Sequence, residues 1–265
     1  MRLLSSSLLR ACGVPHGFGV RTGGVSTGPC ATLNLGLTVG DAPAHVAENR
    51  RRFFVDAGID EARVPELVQV HGDRIVFARV EGDGLLLAAL PAGPPLAAFV
   101  EADAVVAAPG AAAAVRVADC VPVLLYDPDS GAAAAVHAGW RGTASHIVAK
   151  AVEALGRAHG ARPQVLRAVI GPAIGRCCYE VGDDLARRFE ADPAFGAAVV
   201  RRDGARPHLD LAEANRRLLE GAGLKADHVE ALGLCTACDG ERFFSHRRDA
   251  GRTGRHLAAI AAGRF

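Results

Sequence analysis

Aromatic side chains are scarce: they make up 5% of the 265 residues, with one tryptophan and two tyrosines. Any core is therefore built mainly from aliphatic and small side chains, chiefly the abundant alanine. An excess of charge is also missing. Thirty basic residues stand against 29 acidic ones, for a net charge of +1. That balance gives no electrostatic drive toward nucleic acid or an anionic membrane, and neither is expected as a partner. Arginine greatly outnumbers lysine. No apolar run is long enough to span a bilayer. The stretch Met1 to Cys12 mixes leucine with serine and is too broken for a secretory signal. The seven cysteines are odd in number, which argues against a disulfide framework and for reduced thiols in the cytoplasm.

The stretch from Val115 to Thr143 organises the rest of the chain. It reads as three short apolar strands with polar residues at their ends. Asp119 and Cys120 occupy the first break, Asp127 to Gly131 makes a turn, and the third strand ends at His137 before Ala138, Gly139 and Trp140. Polar groups at the ends of apolar strands face a cleft, where a rigid scaffold presents a thiolate and an imidazole together.

Around this centre the spacing predicts helices from Asp41 to Ala57, from Thr143 to His159, from Asp183 to Ala191 and from Asp210 to Glu220. Strands are predicted at 67–70, ending in His71, with 74–80 as their partner, and at 103–107, 112–117, 165–170, 228–234 and 256–262. Residues 85–95 have no clear period and read as a loop or linker. The chain is taken as one domain over residues 1–265. A glycine-rich loop from His16 to Pro29 carries Arg21; it can wrap an anion or serve as an ordinary surface turn. Cys177 and Cys178 are adjacent and read as loop and core residues, because vicinal cysteines rarely form an unstrained disulfide. Cys235-Thr-Ala-Cys238 is half a zinc knuckle with no second such pair, so no structural metal is expected there.

Zinc prefers nitrogen and sulfur donors, and catalytic zinc keeps a position open beside three protein ligands. His71, Cys120 and His137 supply two imidazoles and one thiolate at predicted strand ends, with Asp119 adjacent to orient a ligand or move a proton. Spacing alone leaves open a second reading, a buried cysteine beside two hydrogen-bonded histidines.

Gln69-Val-His-Gly72, Ala118-Asp-Cys-Val-Pro-Val-Leu-Leu-Tyr-Asp-Pro128, His137-Ala-Gly-Trp-Arg-Gly142 and Gly171 to Gly182 resemble the signatures of the YfiH family. That family has been described as laccase-domain proteins, purine nucleoside phosphorylases and peptidoglycan editing factors. The segments His16 to Gly36 and Phe244 to Arg255 also fit, so the likeness spans nearly the whole chain. Gly19 and His246 depart from the residues the family often carries. The resemblance implies an α/β (α+β) fold of mixed sheets layered between helices, distantly like the deamidase domain of cytotoxic necrotizing factor. It implies Zn2+ held by His71, Cys120 and His137, with Cu2+ as a possible substitute. It further implies phosphorolysis of purine nucleosides, together with adenosine deamination. Arg21, Arg141 and Arg247 are the candidates for a phosphate cradle, with Asn34 near the nucleoside.

Three other readings fit parts of the same pattern. A metal-dependent amidase would trim peptidoglycan precursors. A copper-dependent phenol oxidase would need many more histidines than the ten present, none of which falls as His-x-His. A non-catalytic zinc protein would need a fourth ligand to close the site, and Cys235 or Cys238 would have to supply it.

Overall fold

The computed structural model describes residues 2–96 and 100–263. Eleven strands form its two larger sheets. In chain order they are β1 (Leu3–Leu4), β2 (His16–Gly19), β3 (Ile75–Glu81), β4 (Gly84–Ala88), β5 (Ala104–Ala107), β6 (Ala112–Val117), β7 (Val121–Tyr126), β8 (Ala133–Ala138), β9 (Arg167–Ile170), β10 (Val229–Ala231) and β11 (His256–Ala261). One sheet has four strands in the order β1-β2-β11-β6, all antiparallel. The other has seven, in the order β10-β9-β7-β8-β5-β3-β4, with parallel pairing at β9–β10 and β3–β5. Among the described residues the helices are α1 (Ser7–Ala11), α2 (Pro43–Ala57), α3 (Trp140–Ala144), α4 (Ile147–His159), α5 (Asp183–Ala191) and α6 (Leu211–Gly221), so the fold is mixed α/β, as the resemblance implies.

The alternation of side chains along each strand sorts the core into three layers. Val105, Ala107, Leu124, Tyr126, Ala133 and Ala135 of the larger sheet meet Phe18, Ala113, Val115, Ala258 and Ile260 of the smaller one. The opposite face of the larger sheet, with Ala104, Val106, Val123, Leu125, Ala134 and Val136, packs on helices α4 (Ile147–His159) and α6 (Leu211–Gly221). The outer face of the smaller sheet, with Ala112, Ala114, Leu257 and Ala259, packs on helix α2 (Pro43–Ala57) through Phe53 and Phe54. The order is helix, sheet, sheet, helix. Central strands covered on both sides show no polar alternation, which is why β7 and β8 read as unbroken apolar runs.

One detail goes beyond the sequence reading and three differ from it. The three strands of the organising stretch do not share a sheet: β6 belongs to the smaller one, β7 and β8 to the larger, and Ala118-Asp119-Cys120 is the crossing between them. Ile75–Glu81 pairs with Gly84–Ala88 and Ala104–Ala107, so part of the expected linker is an edge strand, while Leu67–Val68 pairs with Val100–Glu101. Alanine and leucine at 85–90 hid this strand because they carry no period-2 signal. Thr143 is not a helix cap. A one-turn helix α3 (Trp140–Ala144) starts at Gly139, and Thr143 is buried against Asn215. Asp41 also misses the cap of α2: Ala42 holds that place with Pro43 following, and the Asp41 carboxylate instead receives Ser26 Oγ at 2.6 Å and Asn34 Nδ2 at 2.9 Å. Asp210 does cap α6, accepting from the Glu213 amide at 3.0 Å, and Gly58 ends α2 with a left-handed φ of 68°.

Candidate metal centre and cavity

Sheet register brings the central residues together. In the antiparallel pair β7–β8, His137 lies opposite Pro122 and Ala138 opposite Val121, so the end of β8 sits beside the start of β7, where Cys120 is. On the other side, the His137 amide donates to the Asp103 carbonyl at 2.7 Å, just ahead of β5. Along β8, His137 shares parity with Ala133 and Ala135, so its ring emerges on the face between the sheets. His71 reaches the same point from the turn after Leu67–Val68. Gln69 fixes that turn to β6 with two bonds: its Nε2 donates to the Arg116 carbonyl and its Oε1 accepts from the Arg116 amide, both at 2.7 Å.

The ligating atoms of His71, Cys120 and His137 lie within 4.8 Å of one another. The two imidazole rings meet edge to face, 4.8 Å between centroids and 75° between planes. Gly139 makes room for them. A Cβ there would sit 3.1 Å from Cys120 Sγ and 3.2 Å from His71 Cδ2. Gly142 likewise lets α3 close on the Gly72 carbonyl, 2.9 Å from where its Cβ would be. His71 and Asp119 both have left-handed backbones, with φ of 60° and 89°. Non-glycine residues adopt this region at a cost, and such strain gathers at functional sites.

One carboxylate missing from the sequence-based site organises two of the ligands. Asp103, fully buried, accepts the His137 Nδ1 proton at 2.7 Å. It also accepts the backbone amides of His71 at 3.0 Å and Gly72 at 2.7 Å. Burial alone would raise the Asp103 carboxyl, yet the His137 ring and these amides hold it below the usual carboxylate range. With Nδ1 on Asp103, Nε2 is the ring nitrogen left to face Cys120: protonated it donates to the sulfur, and once that proton leaves its lone pair can bind a metal. Burial opposes charge at Cys120 too, but the facing His137 charge and hydrogen bonds from both imidazoles pull the thiol down to about 6. Against the same opposition, the Cys120 charge and Asp103 lift His137 to about 9. The thiolate is thus formed at neutral pH, ready to ligate. Two imidazoles, one thiolate and a carboxylate behind an imidazole fit a divalent ion of the zinc type.

The cluster opens into a cavity of about 680 Å³. Arg141, Arg247, Arg255, Trp140, Tyr179 and His246 line it. Arg141 stacks on Trp140 at 4.3 Å and Arg247 on Tyr179 at 5.0 Å, ring centroid to guanidinium carbon. Burial and nearby Cys120 push the Tyr179 hydroxyl up to about 12, so it stays a proton donor. Size and mixed polarity fall in the range of small-molecule sites.

The other candidates are placed as follows. Arg141 and Arg247 line the cavity; Arg21 and Asn34 do not. Arg21 donates to the carbonyls of Ala31 at 2.7 Å and Gly240 at 3.1 Å, tying the glycine-rich loop to the C-terminal segment. Asn34 is buried; its Oδ1 accepts from the Gly36 and Arg255 amides, each at 2.9 Å, and so sets two residues of the cavity wall. Asp119 has both oxygens engaged, accepting Thr236 Oγ1 and the Arg247 amide at 2.6 Å each. Those two bonds tie the Thr236 side chain and the Arg247 backbone to the residue before Cys120. Arg116 and Arg255 stand in the wall beyond the arginines named from the sequence, Arg255 at the end of the Phe244 to Arg255 segment. Asp103 gave no motif, because an acid next to an apolar strand carries no ligand spacing. Cys235 and Cys238 do not close this site; they gather with Cys177 and Cys178 in a separate group.

Residues 15–263 match the family model described as multi-copper polyphenol oxidoreductase laccase. A curated purine nucleoside phosphorylase of Deinococcus radiodurans is 45% identical over 96% of this chain and 92% of its own length. The purine nucleoside phosphorylase YlmD of Bacillus subtilis is 34% identical over 92% of this chain and 87% of its own. Among solved structures, a hypothetical protein YfiH of Bacillus licheniformis superposes with a TM-score of 0.83 at 37% identity, covering 94% of this chain and 93% of that one. YlmD from Geobacillus stearothermophilus gives 0.81 at 35% identity, covering 95% and 92%.

Proposed function

The chain belongs to the laccase-like YfiH family, and on that premise we propose that it is a zinc-dependent purine nucleoside phosphorylase that also deaminates adenosine. The observation carrying this reading is the His71–Cys120–His137 cluster opening into a cavity whose wall includes Arg141, Arg247 and Arg255 and aromatic side chains. Relatives named purine nucleoside phosphorylase support the same reaction class.

Phosphorolysis needs an anion held beside the sugar carbon while the base departs. Arg141, Arg247 and Arg255 supply planar, permanently charged donors for phosphate. Trp140 and Tyr179 hold two of these guanidinium planes in place and offer apolar surface to a purine. Phosphate oxygen bonds to the sugar carbon as the bond from that carbon to the base nitrogen breaks; the base takes up a proton and leaves, and sugar 1-phosphate remains. Tyr179, kept protonated, is the hydroxyl donor in the wall for that proton or for a base heteroatom. An ion at His71, Cys120 and His137 would supply Lewis acidity at the cavity floor, for phosphate in phosphorolysis or for water in deamination.

The family model's laccase description does not extend to multicopper chemistry here. Among the described residues, His71 and His137 are the only histidines that join a metal-ligating group, too few for a multinuclear copper site. Copper binds such Cys/His sites tightly, so copper loading gives adventitious oxidation.

The test is a nucleoside panel incubated with metal-quantified protein, with and without phosphate, with products identified by mass. Phosphate-dependent release of base with sugar 1-phosphate is expected, together with inosine from adenosine. Base and ribose formed equally well without phosphate would replace phosphorolysis with hydrolysis. No turnover of any nucleoside would remove the proposal. Arg247→Ala should raise KM for phosphate about ten- to a hundredfold, the worth of a charge-assisted hydrogen bond, and KM for nucleoside far less.

A further inference from the structure

Four of the remaining cysteines form a second cluster that the proposed reaction does not use. Cys177 and Cys178 lie in the loop leaving β9, Cys235 and Cys238 in the loop leaving β10. Because β9 and β10 are parallel neighbours, both loops exit from the same end of the sheet. Pairing continues past the strands as an isolated parallel bridge between Ala173 and Cys235, with the Thr236 amide donating to the Ala173 carbonyl at 3.0 Å. The four Sγ atoms lie within 4.8 Å of one another. Cys238 Sγ is 3.4 Å from Cys177 Sγ and 3.3 Å from Cys178 Sγ.

Hydrophobic packing does not account for this arrangement, since Cys177 and Cys238 are exposed. Nor does a disulfide: Cys238 is almost equally close to two thiols, and the structure selects no pair. A tetrahedral zinc with sulfur at ~2.3 Å sets neighbouring sulfurs about 3.8 Å apart. The shortest separations and the 4.8 Å limit bracket that value. The surrounding backbone is also shaped for thiolates. The Gly175 amide donates to Cys235 Sγ at 3.2 Å. A Cβ at Gly175 would sit 3.2 Å from Cys177 Sγ and 3.4 Å from Cys235 Sγ, so any larger residue would crowd both sulfurs.

We propose that Cys177, Cys178, Cys235 and Cys238 form a closed tetrathiolate site for a soft divalent ion, zinc by preference, that staples these two loops together. The first loop carries Ile174 and Tyr179 to the cavity wall. The second carries Thr236, which bonds Asp119, and leads to His246 and Arg247. The ion is structural: four protein sulfurs leave no open position for substrate. The site replaces the sequence-based view of Cys177 and Cys178 as loop and core residues, and of the Cys235–Cys238 pair as metal-free. A pair of adjacent cysteines and one Cys-x-x-Cys become a complete ligand set only through the parallel pairing of β9 and β10.

Metal content of the full chain, purified under reducing conditions with zinc and desalted, tests this by elemental analysis against protein concentration. The wild type should hold two zinc ions per chain, and Cys120→Ala and Cys238→Ser one each. Cys120→Ala leaves the cluster untouched, so its result stands even if Cys238→Ser fails to fold. Cobalt loaded into Cys120→Ala should show the strong sulfur-to-metal charge-transfer bands of a tetrathiolate, and a chelator should lower the Tm of that variant. Cys120→Ala that holds no metal, or an intact mass lowered by the two hydrogens of a disulfide, overturns the proposal. One ion in both the wild type and Cys120→Ala, and none in Cys238→Ser, would uphold it while removing the His71–Cys120–His137 centre, so the two sites fail separately.

Discussion

Single side chains at this centre act through one another. Asp103 is the clearest case, since one buried carboxylate holds the His137 ring and the backbone of His71. Asp103→Asn keeps the shape but removes the charge behind the imidazole. Zinc affinity at the centre should fall ten- to a hundredfold in chelator competition, the usual cost of losing such a partner. Unchanged affinity would mean that the carboxylate only braces the turn. His256 shows a different dependence on its surroundings. Burial holds this imidazole down to about 3, and its Nε2 accepts the Phe244 amide at 2.8 Å, so the folded ring stays neutral. An unfolded chain binds a proton at this position near pH 6.5. Between about pH 6.5 and 3 the unfolded state therefore carries the extra proton. Stability should be fully present above that window and decline as pH falls, by up to about 1.4 kcal/mol per pH unit. Urea titrations of wild type and His256→Gln at pH 7, 6, 5 and 4 should show the difference between them narrowing on acidification. A constant difference would assign His256 to packing alone.

Elements contribute by where they end. The chain leaves the smaller sheet at Val117 and enters the larger one at Val121, and the crossing is so short that Asp119 takes a left-handed φ of 89°. That conformation puts the Asp119 carboxylate on Thr236 and Arg247 and Cys120 on the histidines. The one-turn helix α3 closes the other side, with Gly139 as its cap. Gly139→Ala introduces no backbone conflict at a φ of −71°, but its methyl crowds both Cys120 and His71. Zinc affinity at the centre should drop at least tenfold with an unchanged far-UV circular dichroism spectrum. If affinity holds, the cluster has more slack than these contacts allow.

Across the whole molecule, two sheets share a core of small side chains. Alanine at 107, 113, 133, 135 and 258 fills much of the layer between them. Gly171 marks a tight meeting point between them: a Cβ would lie 2.3 Å from the Phe18 ring of the smaller sheet and 2.8 Å from Pro122 of the larger. Gly171→Ala should cost about 3 kcal/mol or more in denaturant titration, at the upper end for overpacking. A loss within 1 kcal/mol would show that the sheets slide to accommodate it.

Local chemistry was legible in the residues themselves. The apolar runs of β7 and β8, the end of α2 at Ala57 and the start of α6 after Asp210 depend on nearest neighbours and appear where the pattern puts them. The motifs around His71, Cys120 and His137 marked residues that do converge, and the family they resemble is the one the chain belongs to. Partnerships between distant segments were not legible. Nothing in an isolated aspartate at 103 or an asparagine at 34 says which loop it will hold, and nothing in the spacing of Cys177, Cys178, Cys235 and Cys238 says that they meet. Strand order and register decide those contacts, because a hydrogen bond or a sulfur cluster depends on distance in space, while sequence separation enters only through the path the backbone takes between its sheets.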